Sequence, residues 1–354
     1  MSKFFSKKYA SLVPYTPGEQ PKQMQYVKLN TNESPFPPSE KAQAFAAEAA
    51  GRLQLYPDPT CSALNAAMAE HFGVAPDEIL MTNGSDEILN FAFMAFCDAD
   101  TPAAFADITY GFYPVFAELN GVPYEKIPLR DDFSLAPEDY FGLGKTIFIA
   151  NPNAPTGLAL SRADVERILQ ANPDRVVVID EAYVDFGGES CVHLIHKYDN
   201  LLVTQTFSKS RSMAGARLGV GFGCRDLIAD LNTVKYSTNP YNINGMTMAM
   251  GLGVLADEDY TQKNCKTIIE NRAWASSALA SLGFTMTESK TNFIFAKHKT
   301  ADGGMLYRAL KERGVLVRHF DAPRIAQYNR ITVGTREQMQ ILVDTLRTIL
   351  EETL

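Results

Sequence analysis

A lysine, an aspartate and a tyrosine stand out because each follows an apolar run of the kind that forms a buried strand. Leu201 to Thr206 runs into Phe207-Ser208-Lys209-Ser210, and Val176 to Ile179 runs into Asp180-Glu181-Ala182-Tyr183. In a parallel sheet, loops and helix starts converge at the carboxyl ends of the strands, so these side chains should share one rim. A lysine held there is a candidate amine nucleophile toward an aldehyde. Such chemistry needs an electron sink. A pyridine ring is one, provided that a short acid such as Asp180 keeps its nitrogen protonated while Tyr183 hydrogen-bonds an oxygen on the ring.

A phosphate handle on that ring would need its own seat. Thr82-Asn83-Gly84-Ser85-Asp86-Glu87 places a glycine turn before a helix, so the amides near Gly84, Ser85 and Asp86 suit a dianion. Ser208 and Arg217 flank Lys209 and add a hydroxyl and a fork of donors. Tyr110, after the apolar run Ala103 to Ala106, is placed to cover a ring face. Together these residues point to pyridoxal phosphate (PLP). Each alone has a plainer reading: a lysine after a strand is commonly a solvated charge, Asp180 could cap a helix, and Gly84-Ser85 could be a simple turn.

The elements that must position these groups follow from periodicity. Residues 1–30 carry Pro14, Pro17 and Pro21 among polar residues and read as an extended N-terminal arm. Ser39 to Leu55 reads as a helix, stopped by Tyr56-Pro57-Asp58-Pro59, and Cys61 to Phe72 as another. Short apolar runs at 103–106, 146–150, 176–179, 201–206 and 218–222 alternate with helical patterns, notably Asp86 to Phe96 and Arg162 to Gln170. This α/β alternation predicts a large domain, residues 31–245, with a mainly parallel central sheet between helical layers. A long helical stretch then leads to strand candidates at 291–296, 315–318 and 330–333 and a last helix from Arg336, read as a smaller C-terminal α/β domain, 246–354.

Composition narrows the partners. In 354 residues, 33 basic and 41 acidic side chains leave a net charge of -8, which favours neither nucleic acid nor an anionic membrane. Small-molecule substrates remain. The five cysteines are scattered, without a C-x-x-C pair, and suit reduced thiols. His193 and His196 have no third ligand nearby, so no metal is expected. No apolar run approaches the roughly 20 residues that span a bilayer, and Met1 to Ala10 is not followed by a signal-peptide core, so the expected location is the cytoplasm.

The ordered set of motifs resembles the fold-type I PLP-dependent aminotransferases over nearly the whole chain. It comprises Leu29-Asn30-Thr31-Asn32-Glu33-Ser34-Pro35, Tyr56-Pro57-Asp58, Thr82 to Glu87, Asn151-Pro152-Asn153-Ala154-Pro155-Thr156-Gly157, Asp180 to Tyr183, Phe207-Ser208-Lys209 with Arg217, and Arg330-Ile331-Thr332-Val333-Gly334. The resemblance implies that Lys209 carries the cofactor covalently, Asp180 pairs with the ring nitrogen, Tyr183 contacts the ring oxygen, and Ser208 and Arg217 hold the phosphate. It implies that Arg330 receives the substrate, with Asn32 beside it, and that Tyr15 and Arg318 contact a phosphate-bearing substrate. Tyr56 matches a tyrosine that reaches the neighbouring subunit's cofactor, which implies a homodimer with shared active sites. The family pattern commonly has asparagine before Pro-Thr-Gly. Here Ala154 stands there, leaving Asn153 as the nearest substitute for a ring-oxygen contact. The implied reaction exchanges an amino group between L-histidinol phosphate and 2-oxoglutarate; transamination of aromatic amino acids, decarboxylation of a phosphorylated amino acid, and a binding role without turnover stay open.

Overall fold

Apolar runs of four to six residues with no polar alternation are strands only where both faces are covered. The computed structural model, which describes residues 2–10, 12–21 and 23–353, builds all of its central sheet but the edge strand Tyr124–Ile127 from largely apolar, buried runs; Met1, Ser11 and Lys22 of the expected arm, and Leu354, lie outside the described residues. The arm ends in β1 (Val27–Lys28). The central sheet contains β2 (Ile79–Thr82), β3 (Ala103–Ala106), β4 (Tyr124–Ile127), β5 (Thr146–Ala150), β6 (Val177–Asp180), β7 (Leu201–Thr206) and β8 (Gly219–Gly223). Their spatial order is β2-β8-β7-β6-β5-β3-β4. Neighbours from β7 through β4 are parallel, whereas β8 runs antiparallel to both β7 and β2. The sheet is therefore mixed and mostly parallel.

Alternate residues of these strands feed two separate cores. Ile147, Ile149, Val177, Ile179, Leu201 and Val203 pack on one face. Phe105, Phe148, Val178 and Leu202 pack on the other. The covering helices have ordinary causes. In Arg162–Ala171 the Ser161 hydroxyl caps the Asp164 amide, and Val165, Ile168 and Leu169 form the apolar stripe turned inward.

A second sheet is formed by β9 (Phe284–Met286), β10 (Phe293–His298), β12 (Arg318–His319) and β13 (Asn329–Thr332) in the order β12-β13-β10-β9, while β11 (Val315–Leu316) pairs in parallel with β1. The run read as one strand over 315–318 is thus divided between two sheets. The arm is tied down at its end: Leu29 joins the core of this second unit. The expected boundary near Gly245 falls at a helix, Gly245–Leu255, whose Val254 packs in the core of the large sheet; the next core residue after it, Cys265, belongs to the second unit.

Candidate active site

The carboxyl ends of β3, β5, β6 and β7 open into one cleft between the two units. Its deeper half is a cavity of about 270 Å³ lined by Lys209, Asp180, Tyr183, Tyr110, Ser85, Asp86, Ser208 and Arg217 among others. Lys209 and Asp180 therefore line one and the same cavity. Lys209, on the loop after β7, donates from Nζ to the Thr31 carbonyl at 3.4 Å and lies 5.9 Å from the Tyr183 ring centroid.

Asp180 ends β6 and is buried. Three donors hold it: the Tyr113 hydroxyl at 3.0 Å, the Ala182 amide at 3.2 Å and the Thr204 hydroxyl at 3.4 Å. Burial nevertheless dominates and pushes its carboxyl up to about 6. A cation brought against it, such as a protonated ring nitrogen, would relieve that cost. Tyr183 receives a hydrogen bond from the Asn32 amide at 2.9 Å.

The opposite end of the cavity is built for an anion. Gly84, at φ 80°, caps the helix Ser85–Phe96, and a Cβ there would stand 2.4 Å from Arg217 Nη2. Gly219 does the same for the backbone: a Cβ at that position would fall 2.4 Å from both the Gly84 carbon and the Ser85 nitrogen. Two glycines thus let the loop, β8 and the arginine close around one point. Arg217 donates to Ser208 Oγ at 3.4 Å and to Asp86 at 3.1 Å, and Asp86 also takes the Tyr110 hydroxyl at 2.7 Å. The lysine, the buried acid, the covering tyrosine and this cradle together fit PLP.

The outer half, about 360 Å³, shares Lys209, Tyr183, Tyr110 and Thr31 with the inner one and adds Tyr15, Asn32, Arg318 and Arg330. Arg318 and Arg330 are cross-strand partners on β12 and β13. Arg330 donates to the Asn30 carbonyl at 3.1 Å, but its Nε has no partner, and burial pushes its guanidinium below the usual arginine range. Nearby arginines are in ion pairs: Arg211 with Asp185, Arg217 with Asp86, Arg324 with Asp107. Among the described residues, Arg318 and Arg330 have no such counter-charge. Tyr15 packs against Phe112 with the rings tilted and their centroids 4.2 Å apart. Asn32, at φ 56°, is fixed by Thr332, whose hydroxyl accepts from its amide at 2.9 Å.

Two residues lie elsewhere. Asn153 does not line the cleft, so the suggested ring-oxygen contact is corrected. Its amide donates to the Ile108 carbonyl and the Thr156 hydroxyl and accepts from Thr109, bracing the loop, while Ala154 faces the cavity. Tyr56 takes no part in this chain's cleft. It is 83% exposed and stacks on Tyr241 at 4.6 Å.

Some participants carried little sequence signal. Tyr113 and Thr204 hold Asp180, but Tyr113 lies inside a helix and Thr204 inside a strand, and neither position carries a local signal of that contact. Glu33 lines the cavity; burial raises its carboxyl, yet Lys28 and Thr31 outweigh that and leave it below the ordinary glutamate range. Gly219 gave no signal, because its role is contact with a loop 135 residues earlier, from Gly84 to Gly219.

The chain belongs to the class I and II aminotransferases, whose family model matches residues 24–346. Within that class, it is 49% identical to the histidinol-phosphate aminotransferase of Aromatoleum aromaticum, across 99% of this chain and all of that one. It is 46% identical to the enzyme of the same name from Clostridium beijerinckii, over 99% and 98% of the two chains. Among solved structures, a putative histidinol-phosphate aminotransferase from Erwinia carotovora atroseptica superposes with a TM-score of 0.86 at 26% identity, covering 93% of this chain and 97% of the other. The Sinorhizobium meliloti histidinol-phosphate aminotransferase in complex with pyridoxal-5'-phosphate shares the fold, with a TM-score of 0.88 at 22% identity over 99% of both chains.

Proposed function

We propose that this chain interconverts L-histidinol phosphate and 2-oxoglutarate with imidazole acetol phosphate and L-glutamate, using PLP. The observation that carries the substrate assignment is the pair Arg318 and Arg330, side by side across β12 and β13 without a counter-charge, on the wall of the cleft that holds Lys209. Paired guanidiniums match the planar oxygens of a phosphate ester and equally a carboxylate, so one site serves both the phosphorylated donor and the dicarboxylate. Tyr15 adds a hydroxyl at the same mouth.

When bound, PLP supplies an aldehyde to take up the amino group and a ring that withdraws electrons. Lys209 Nζ would hold the cofactor, and as a free amine it would take the proton from the substrate carbon and return it. Asp180, oriented by Tyr113, Ala182 and Thr204, would keep a proton on the ring nitrogen. Tyr183, oriented by Asn32, would donate toward the ring oxygen without help from Asn153. Gly84, Ser85, Asp86, Ser208 and Arg217 would hold the phosphate, and Tyr110 would cover the ring.

Two exposed tyrosine rings, Tyr56 and Tyr241, stack outside the cleft and support a homodimer in which Tyr56 completes the partner's cofactor site. No helix among the described residues is long and apolar enough to cross a membrane, and a biosynthetic role in the cytoplasm suits small, charged substrates. Purified protein mixed with L-histidinol phosphate and 2-oxoglutarate should form glutamate. Much faster reaction with phenylalanine would overturn the substrate assignment.

A further inference from the structure

The two substrate-facing arginines do not aim themselves. They flank the segment Phe320–Tyr328, which joins β12 to β13, and Phe320 lies under both: the guanidinium carbons of Arg318 and Arg330 are each 5.9 Å from its ring centroid. Phe320 and Ile325 also line the outer half of the cleft. The direction of both charges therefore depends on where this segment is held.

Its apex, Asp321 to Arg324, is exposed and contributes no residue to the apolar cluster of Ile108, Leu129, Phe133, Phe295 and Ile325 beside it. What fastens it is Arg324. That side chain crosses to the large unit, where Nη1 donates to Asp107 Oδ2 at 2.7 Å and Nη2 donates to the carbonyls of Leu129 and Arg130 at 3.0 and 2.9 Å. Its guanidinium lies 5.8 Å from the Phe133 ring centroid. Asp107 is itself fixed, accepting from the Leu129 amide at 3.0 Å. Beneath this clasp, Ile108, Leu129 and Phe133 of the large unit pack with Phe295 and Ile325 of the smaller one, and Tyr328 stacks on Phe295 at 4.5 Å.

We propose that Arg324 is a positioning residue for substrate recognition: by clasping the segment Phe320–Tyr328 to Asp107 and the 129–130 backbone, it sets the aim of Arg318 and Arg330. A planar fork is suited to this task because it reaches one carboxylate and two carbonyls at once, which a lysine point charge does not. The clasp also occupies Asp107, a carboxylate on the wall of the substrate half, so that acid neither repels an incoming phosphate nor pairs with an imidazolium. The proposal rests on reading the outer half as an anion site.

The test compares Arg324→Gln, Arg324→Lys, Arg318→Ala, Arg330→Lys and the double variant Arg324→Gln/Arg318→Ala in the holoenzyme. KM for L-histidinol phosphate and inhibition by inorganic phosphate are measured beside cofactor affinity by absorbance titration. Arg324→Gln should raise KM about tenfold, since small misplacements of positioning groups cost that much or more. Cofactor affinity and kcat should change less than about twofold, and Arg324→Lys should fall between Gln and wild type. In the double variant the two effects should be less than additive, as expected for residues acting through one contact. If Arg318→Ala and Arg330→Lys weaken anion binding while Arg324→Gln leaves KM unchanged, or adds its full effect in the double variant, Arg324 has no positioning role. If neither Arg318→Ala nor Arg330→Lys affects anion binding, the anion-site reading falls and takes this proposal with it. Equal losses of cofactor affinity and KM in Arg324→Gln also overturn it, since they mark a purely structural role.

Discussion

The two halves of the cleft are finished to different degrees. In the inner half, the charged groups that line the cavity have partners: Asp180 has three donors, Arg217 has Asp86, and Glu33 has Lys28. In the outer half two guanidiniums stand adjacent without a counter-charge among the described residues, and Arg330 Nε has no hydrogen-bond partner. The inner half rests on strand ends of one sheet and is organised in advance for a cofactor that stays. The outer half is put together from the arm, the large unit and two strands of the smaller sheet, and under the proposed function its charges receive a substrate that comes and goes. Preorganisation suits the resident group, and uncompensated charge suits the transient one.

The largest expected effect lies where the halves meet. Lys209→Ala should abolish the near-visible absorbance of lysine-bound cofactor and lower the transamination rate by at least about 10³-fold, in the range assigned to a general base. Calorimetry should still detect L-histidinol phosphate binding in the outer half. Transamination within tenfold of wild type would mean that another lysine anchors the cofactor.

A smaller effect concerns the charge buried in the inner half. Asp180 has a folded pKa of about 6 against an ordinary value of 3.8, and burial likewise raises Glu181 from 4.5 to about 7. Both acids bind protons more readily folded than unfolded. Their contribution is therefore fully present below about pH 4 and is lost as pH rises through 6 to 7. For Asp180 this amounts to an upper limit on the order of 3 kcal/mol. Melting of the cofactor-free protein should show stability falling across that window, and Asp180→Asn should remove part of the slope. A slope unchanged in Asp180→Asn would place the strain at Glu181 alone.

The smallest change targets the phosphate cradle. Gly219→Ala puts a methyl into the Gly84–Ser85 backbone and should cost about 1–3 kcal/mol, the usual penalty for overpacking. Denaturant unfolding and cofactor titration should both register it. If anion binding in the outer half falls equally, the halves are not as independent as the pairing pattern indicates.

Much of the architecture could be read from local pattern. The runs at 103–106, 146–150 and 201–206 are strands at the expected bounds because double-sided burial leaves an unbroken apolar signature. Other elements lack that signature. β4, Tyr-Glu-Lys-Ile, is an edge strand with Glu125 and Lys126 exposed, so its composition resembles a loop. The division of 315–319 between two sheets depends on partners, β1 for one half and β13 for the other, that lie far along the chain.

By itself the sequence determined the reactive inventory: a lysine and an acid after buried strands, a glycine turn before a helix, and arginines near the end of the chain. These are local, because residue type and spacing along one element set them. Only the tertiary structure decided which of them meet. Lys209 is held by a carbonyl 178 positions away and Asn32 by a threonine 300 positions away, Asn153 turns into its own loop, and Arg324 crosses to Asp107. Such contacts follow from strand register and from the packing of elements far apart along the chain, and no local pattern encodes either.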